Sequence, residues 1–298
     1  MKKKEGYIPV DEGVRLYYCK IGNGPNKVVI PSACGLMDDF VEPLHSGCEL
    51  IFYDQRGRGR SDTDPDETRI WTDYEVRDME SVRQHFGFEK IAIIGWSYMG
   101  GISALYAARH SEHVERLILM CPVSPRSNAP FDDPKVRNEM AESRLDSARV
   151  EQLKALKEAG EDIDNPEEYC RENIQVYYPA KMGQPDALVR MRSDPCVYPN
   201  EWEENISKHW KKHFPPDSLE YDWRSEVSSI KAQTLVIHGA EDLIPIEAAH
   251  EWTMSIPNAR LVCISGVGHF PQLEAPEEFF SSVKEVLNGE WPEKAEIV

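Results

Sequence analysis

The sequence predicts an α/β fold: a mostly parallel sheet flanked by helices, with a helical cap inserted into it. Three observations carry this. The runs Val28-Val29-Ile30, Ile91-Ala92-Ile93-Ile94 and Leu235-Val236-Ile237 are continuously apolar, as strands buried on both faces are. Amphipathic segments alternate with such runs, the order expected of strand–helix–strand units. From about Ser124 to Ser229 that alternation stops, and the chain becomes polar, proline-bearing and helix-like in patches.

Taken in order, the candidate strands are Val14–Cys19, Lys27–Ile30, Glu49–Tyr53, Ile91–Ile94, Leu117–Met120, Thr234–Ile237 and Leu261–Ile264. Asp73–Phe86 has helical character and stops at Gly87, a suitable C-cap. Tyr98–His110 is rich in Ala and other small residues, as a buried helix is. Glu277–Leu287 reads as a last amphipathic helix behind Pro276. The expected organisation is a core of residues 1–123 and 230–298 and a cap of residues 124–229. Within the cap, Ala148–Ala159 and Asn200–Lys211 are helix-like. Trp202, Trp210, Trp223, Tyr177, Tyr178 and Tyr198 either line a substrate pocket or form the cap's own small core.

The 298 residues suffice for one large core with an insertion, and 41% apolar and 29% charged residues are ordinary for a globular protein. No stretch approaches the roughly 20 apolar residues of a membrane helix. The basic start, Met1 to Gly6, has no apolar run behind it and does not read as a signal peptide. The formal charge of −18 repels phosphates, so nucleic acid is not an expected partner. Seven scattered cysteines without a CxxC pair suggest free thiols in a reducing cytoplasm, and the lack of clustered His/Cys spacing suggests no metal.

Three segments carry chemistry. Gly95-Trp96-Ser97-Tyr98-Met99-Gly100-Gly101 follows an apolar strand and opens a helix. A turn that sharp strains its apex residue and presents the hydroxyl of Ser97 at the end of the sheet, although a Ser at this point also serves as a plain helix cap. His238-Gly239-Ala240-Glu241-Asp242 ends another strand with a carboxylate, where α/β sheets gather their functional groups. Asp242 could instead cap a helix over Pro245–Ser255, and Glu241 competes for its role. Gly266-Val267-Gly268-His269 follows Leu261–Ile264, with glycines that let the backbone place the imidazole. Ser97, Asp242 and His269 thus occur in the order nucleophile, acid, base. A serine hydroxyl is weakly nucleophilic near neutral pH. It needs a His to take its proton and an acid to fix that His in the right tautomer.

With these segments and with Asp54-Gln55-Arg56-Gly57-Arg58-Gly59-Arg60-Ser61 after Glu49–Tyr53, the chain resembles α/β-hydrolase-fold enzymes from Val14 to about Asn288. The Asp-Gln-Arg-Gly form is similar to the proline iminopeptidase branch, and the segment itself reads as a tight turn with a structural Asp–Arg pairing. The resemblance implies an oxyanion hole of two backbone N–H groups. One belongs to Tyr98, after the nucleophile. The other comes from the loop Pro31-Ser32-Ala33-Cys34-Gly35, by position from Ala33, with Cys34 next in line. This sequence departs from the family pattern at Met99, where a small residue is usual, and at Pro31-Ser32, where His-Gly is usual. Ser97 excludes the Asp-nucleophile chemistries of the same fold; Cys34 and Cys121 lie near predicted strand ends and could approach the site, although a free Cys is more often an inert buried residue.

The expected activity is hydrolysis of a small-molecule carboxylic ester through an acyl-enzyme, with no cofactor. The alternatives are a proline iminopeptidase-like aminopeptidase and a non-catalytic ligand-binding or receptor protein on the same fold. The aminopeptidase would need acidic cap residues such as Glu201, Glu203 and Glu204 for the substrate amine.

Overall fold

The computed structural model describes residues 3–64, 66, 69, 72–197 and 220–298. The strands are β1 (Lys3–Pro9), β2 (Arg15–Gly22), β3 (Asn26–Pro31), β4 (Cys48–Tyr53), β5 (Ile91–Trp96), β6 (Val114–Met120), β7 (Gln233–Gly239) and β8 (Ala259–Ile264). They form one sheet in the order β1-β2-β4-β3-β5-β6-β7-β8. Strands β1 and β2 run antiparallel to their neighbours, and all pairs from β4–β3 to β7–β8 are parallel.

Side chains alternate between the two faces of a strand, and the core divides accordingly. On one face Val29, Ile51, Ile93, Leu117, Leu119 and Val236 pack with residues of α2 (Thr72–His85) and α3 (Tyr98–Arg109). On the other, Val28, Ile30, Leu50, Phe52, Ile94, Ile118 and Ile237 pack with α1 (Ala33–Leu44) and the carboxy-terminal helix Pro276–Leu287. Burial on both faces is why β4 and β7 have no exposed position and why these strands read as unbroken apolar runs.

Between β6 and β7 the chain leaves the sheet for α4 (Pro134–Ser143), α5 (Ser147–Glu158), α6 (Glu161–Asp164), α7 (Pro166–Tyr177), several short 3-10 turns and α8 (Arg224–Val227). Asp133 and Asp146 cap α4 and α5 by accepting from backbone N–H groups of their first turns. After β7 come α9 (Ile246–Ser255), α10 (Pro271–Glu274) and α11 (Pro276–Leu287), the last two following β8. Asn200–Lys211, with Trp202, Trp210 and the three candidate glutamates Glu201, Glu203 and Glu204, lies outside the described residues, as does Tyr198.

Two expectations need correction. Cys170 and Cys196 form a disulfide, so the thiols are not all free. The segment expected to be a loop after β3 is instead the start of α1, with only Ser32 between strand and helix. Among the described residues no helix is long and apolar enough to cross a membrane.

Candidate functional site

The carboxyl ends of β3, β5 and β6 share one device. The residue after each strand, Ser32, Ser97 and Cys121, has a positive φ of 79°, 53° and 44°. Non-glycine residues occupy this region only where surrounding structure holds them there. Each is held by its own N–H, which donates to the last carbonyls of an adjacent strand: Ser32 to Tyr53, Ser97 to Met120, and Cys121 to Ile237. After Ser32 and Ser97 the chain turns directly into α1 and α3. Ala33 and Tyr98 therefore hold the first helical positions on the neighbouring strands β3 and β5, at helix ends where backbone N–H groups point outward. Cys121 is followed by Pro122, which has no N–H to offer.

Ser97 is the expected apex. Gly95 is required beneath it, because a Cβ there would lie 2.6 Å from the Met99 carbonyl oxygen and would also meet Ser103. Met99 does not occupy that gap. Its side chain is buried, and its sulfur faces Arg58 Nη1 at 3.8 Å. Behind the elbow, Tyr98 donates its hydroxyl to Glu75 Oε2 at 2.6 Å, and Arg58 pairs with the same carboxylate at 3.2 Å. Cys34 is removed as an oxyanion donor, since its N–H donates to Asp54 Oδ1 at 2.8 Å. Asp54 also accepts from the Arg60 N–H. The turn Asp54–Ser61 is thus structural, with Asp54 bonded to backbone N–H groups while the Arg56 and Arg58 guanidinium groups pair with carboxylates outside the turn. Arg56 makes a two-pronged bond to Asp78 and a third bond to Asp64.

Asp242 and His269 are brought together by two interlaced loops. Glu241 N–H donates to Val267 O, and Ala240 N–H to Ile264 O, which ties the segment after β7 to the end of β8. His269 Nδ1 lies 2.8 Å from Asp242 Oδ2, both side chains being almost fully enclosed. The other oxygen, Oδ1, accepts from the Ile244 N–H. Burial pushes the Asp242 carboxyl up, but the charge and hydrogen bond of His269 outweigh it and hold it below the usual carboxylate value. Glu241, the competing acid, is exposed. His238 is buried with Nε2 on the Ile244 carbonyl, and burial lowers its pKa.

Trp96, the residue before Ser97, packs its ring 5.3 Å from the His269 imidazole and donates its Nε1–H to the His269 carbonyl. Among the described residues Ser97 Oγ and the His269 ring share no hydrogen bond, a contact that often tightens only with substrate bound. A cavity of about 200 Å³ adjoins the edge, lined by Tyr98, Val123, Ser124, Asp132, Arg137, Tyr221, Trp223 and Ile244. Of the expected cap aromatics among the described residues, Trp223 lines it and Tyr177 and Tyr178 do not. Tyr221 stacks on Trp223 at 4.3 Å.

Two further side chains lie against the Asp242–His269 pair and its loop, Cys121, already noted near a strand end, and Glu274. Cys121 Sγ lies within 4.8 Å of donor atoms of both Asp242 and His269, a set that would hold a metal ion only in place of the Asp242–His269 hydrogen bond. Burial, with Asp242 beside it, pushes the Cys121 thiol well above its ordinary value. Glu274 lies beneath the His269 loop. Its spacing of five from His269 was visible, but only the fold gives it meaning.

A serine on a strained strand-to-helix turn, a buried Asp–His pair and two helix-end N–H groups at one edge of a parallel sheet define the α/β-hydrolase class. The chain belongs to the alpha/beta hydrolase family, whose profile matches residues 28–282. It is 24% identical to a proline iminopeptidase of Thermoplasma volcanium, over 93% of this chain and 94% of that one. It is 26% identical to a proline iminopeptidase of Saccharolobus solfataricus, over 96% and 92%. An esterase of Exiguobacterium antarcticum superimposes with a TM-score of 0.69 at 20% identity, covering 96% of this chain and 100% of that one.

Proposed function

We propose that this protein is a serine hydrolase that cleaves a small-molecule carboxylic ester through an acyl-enzyme. The observation that carries the reading is the enclosed 2.8 Å Asp242–His269 pair at the sheet edge where Ser97 stands on its strained turn. In this mechanism His269 Nε2 takes the Ser97 proton as Oγ attacks the carbonyl carbon. The N–H groups of Ala33 and Tyr98 receive the oxyanion. His269 then gives the proton to the departing alcohol oxygen, and the acyl group stays on Ser97. A water, deprotonated by His269, attacks the acyl carbon, and Ser97 regains its proton as the acid leaves. Asp242 holds Nδ1–H throughout.

The names of the relatives favour a second reading, an aminopeptidase that removes an N-terminal residue such as proline. The chemistry at Ser97 would be the same, with an amine as leaving group. One assay separates the readings: turnover of p-nitrophenyl acetate, p-nitrophenyl butyrate and proline p-nitroanilide by the wild type and by Ser97→Ala. Ester turnover lost in Ser97→Ala supports the proposal. Preference for the proline amide moves the assignment to the aminopeptidase. If wild type and Ser97→Ala are equally slow on all three and a fluorophosphonate leaves Ser97 unlabelled, the nucleophile assignment fails and a ligand-binding role takes its place.

A further inference from the structure

Glu274 is a buried carboxylate with an unusual set of partners. Its Oε1 and Oε2 accept from Gly268 N–H at 3.1 and 3.0 Å, and Oε1 accepts from Phe270 N–H at 3.2 Å. Those residues flank His269 on either side. The same Oε2 accepts from Gly183 and Gln184 N–H, both at 2.8 Å. These two belong to the helical segment between β6 and β7, as does Lys181, whose carbonyl accepts the N–H of His269 itself at 2.9 Å. Gln184 Nε2 adds a bond to Gly266 O, and Arg190 caps the Leu273 and Glu274 carbonyls from the same segment. Every group that faces the carboxylate is a donor. An acceptor-only side chain satisfies them all, and an amide in its place must turn an NH₂ toward N–H groups.

We infer that Glu274 is a positioning residue that locks the His269 loop to the segment Lys181–Gln184, so that the imidazole is placed from the helical insertion as well as from the sheet. This rests on the reading of His269 as the base. Backbone bonds hold the loop from both sides of the imidazole, and displacing a reacting group by about 1 Å costs on the order of a hundredfold in rate. The insertion therefore has a part in catalysis beyond enclosing substrate. The lock can be disturbed from its far side, because a Cβ at Gly183 would stand 2.6 Å from Gly266 O, at the start of the loop that carries His269.

The test uses Glu274→Gln, Gly183→Ala and the double variant in the full chain, with Ser97→Ala and His269→Ala as references. Two readouts are taken: kcat and KM on p-nitrophenyl acetate, and the low-field NMR signal of the proton between Asp242 and His269. Each single variant is expected to lower kcat by about ten- to a hundredfold with KM changed less than about threefold. The NMR signal should shift or broaden, and the double variant should fall short of the product of the two losses, because both act on one lock. Wild-type kcat and an unmoved NMR signal in either single variant overturn the inference, and so do fully multiplicative losses. If Glu274→Gln does not fold, Gly183→Ala decides alone. If Ser97→Ala and His269→Ala leave turnover unchanged, the assignment of the base fails, and the NMR signal, which needs no substrate, still decides whether the lock exists.

Discussion

Replacing Asp242 by Asn tests the acid–base assignment with almost no change of shape. The outcome follows from which oxygen is already occupied. Oδ1 accepts the Ile244 N–H at 3.0 Å and Oδ2 faces His269 Nδ1 at 2.8 Å. An Asn placed here must keep its carbonyl oxygen on the Ile244 N–H, since the opposite orientation sets two donors against each other and strands a buried N–H at about 1–3 kcal/mol. Its NH₂ then points at Nδ1, which must accept. The imidazole proton moves to Nε2, the nitrogen that should take the proton of Ser97. A reversed tautomer costs about 10⁴ in kcat where it has been isolated in the serine protease triad, or roughly 5 kcal/mol. Asp242 is held below the usual carboxylate pKa, so the wild type carries the charge throughout the neutral range and the comparison is clean there. The assay is kcat on p-nitrophenyl acetate near pH 7.5, with urea unfolding as a control for the fold. A loss smaller than about tenfold in a folded variant refutes the tautomer argument and, with it, Asp242 as the orienting acid.

Other consequences follow from the same structure. Arg56 is fully buried between Asp78 and Asp64, and Arg56→Met should cost about 3–5 kcal/mol in urea unfolding at pH 7. Burial already raises the Asp78 carboxyl despite Arg56, so the charged form is the one penalised; the cost should shrink as pH falls toward 5, and an equal cost at both values contradicts the account. His238 is lowered from 6.5 by burial, so below that value the unfolded chain binds a proton the fold refuses. Its contribution to stability should be present above pH 6.5 and lost as pH falls through it, by at most about 1.4 kcal/mol per pH unit, and His238→Gln should flatten that slope. Of the seven cysteines, five should react with Ellman's reagent in denaturant without reductant, and only the exposed Cys263 should react rapidly in the native protein. Seven reactive thiols would show that Cys170 and Cys196 are not bonded.

The sheet was legible because seven of its strands are buried on at least one face and write that burial as apolar runs. β1 was not, since Lys3–Pro9 is an edge strand with only Ile8 buried and a composition suited to solvent. α1 was hidden for a different reason. Pro31 and Ser32 look like loop residues, and the helix starts after a single left-handed serine, a conformation no residue pattern announces. Ser97, Asp242 and His269 were readable because each follows a strand at a glycine-marked turn. Cys121 was visible near a strand end, but its place beside Asp242 and His269, like the bonds of Glu274, depends on which distant groups the topology brings together.

The departure at Ser32 looks different once the strand ends are compared. A glycine at position 32 would reach a positive φ without strain; Ser32 reaches it at a cost of about 1–3 kcal/mol, the usual range for a strained residue. Ser97 carries the same kind of cost one strand away, and Cys121 on the strand beyond that. Three adjacent strands therefore end in strained residues, and each is pinned by an N–H bond to a neighbouring strand that extends the parallel pairing past the strand's last residue. The pairing is what the buried sheet stabilises, so the core supplies the energy that keeps the edge strained. Two of the three strained residues lead into helices whose first N–H groups are the candidate oxyanion donors, and the third leads into Pro122, which has none. If Ala33 is the oxyanion donor proposed above, the Pro31-Ser32 sequence is compatible with that part, because Ser32 adopts the left-handed conformation that a glycine usually supplies.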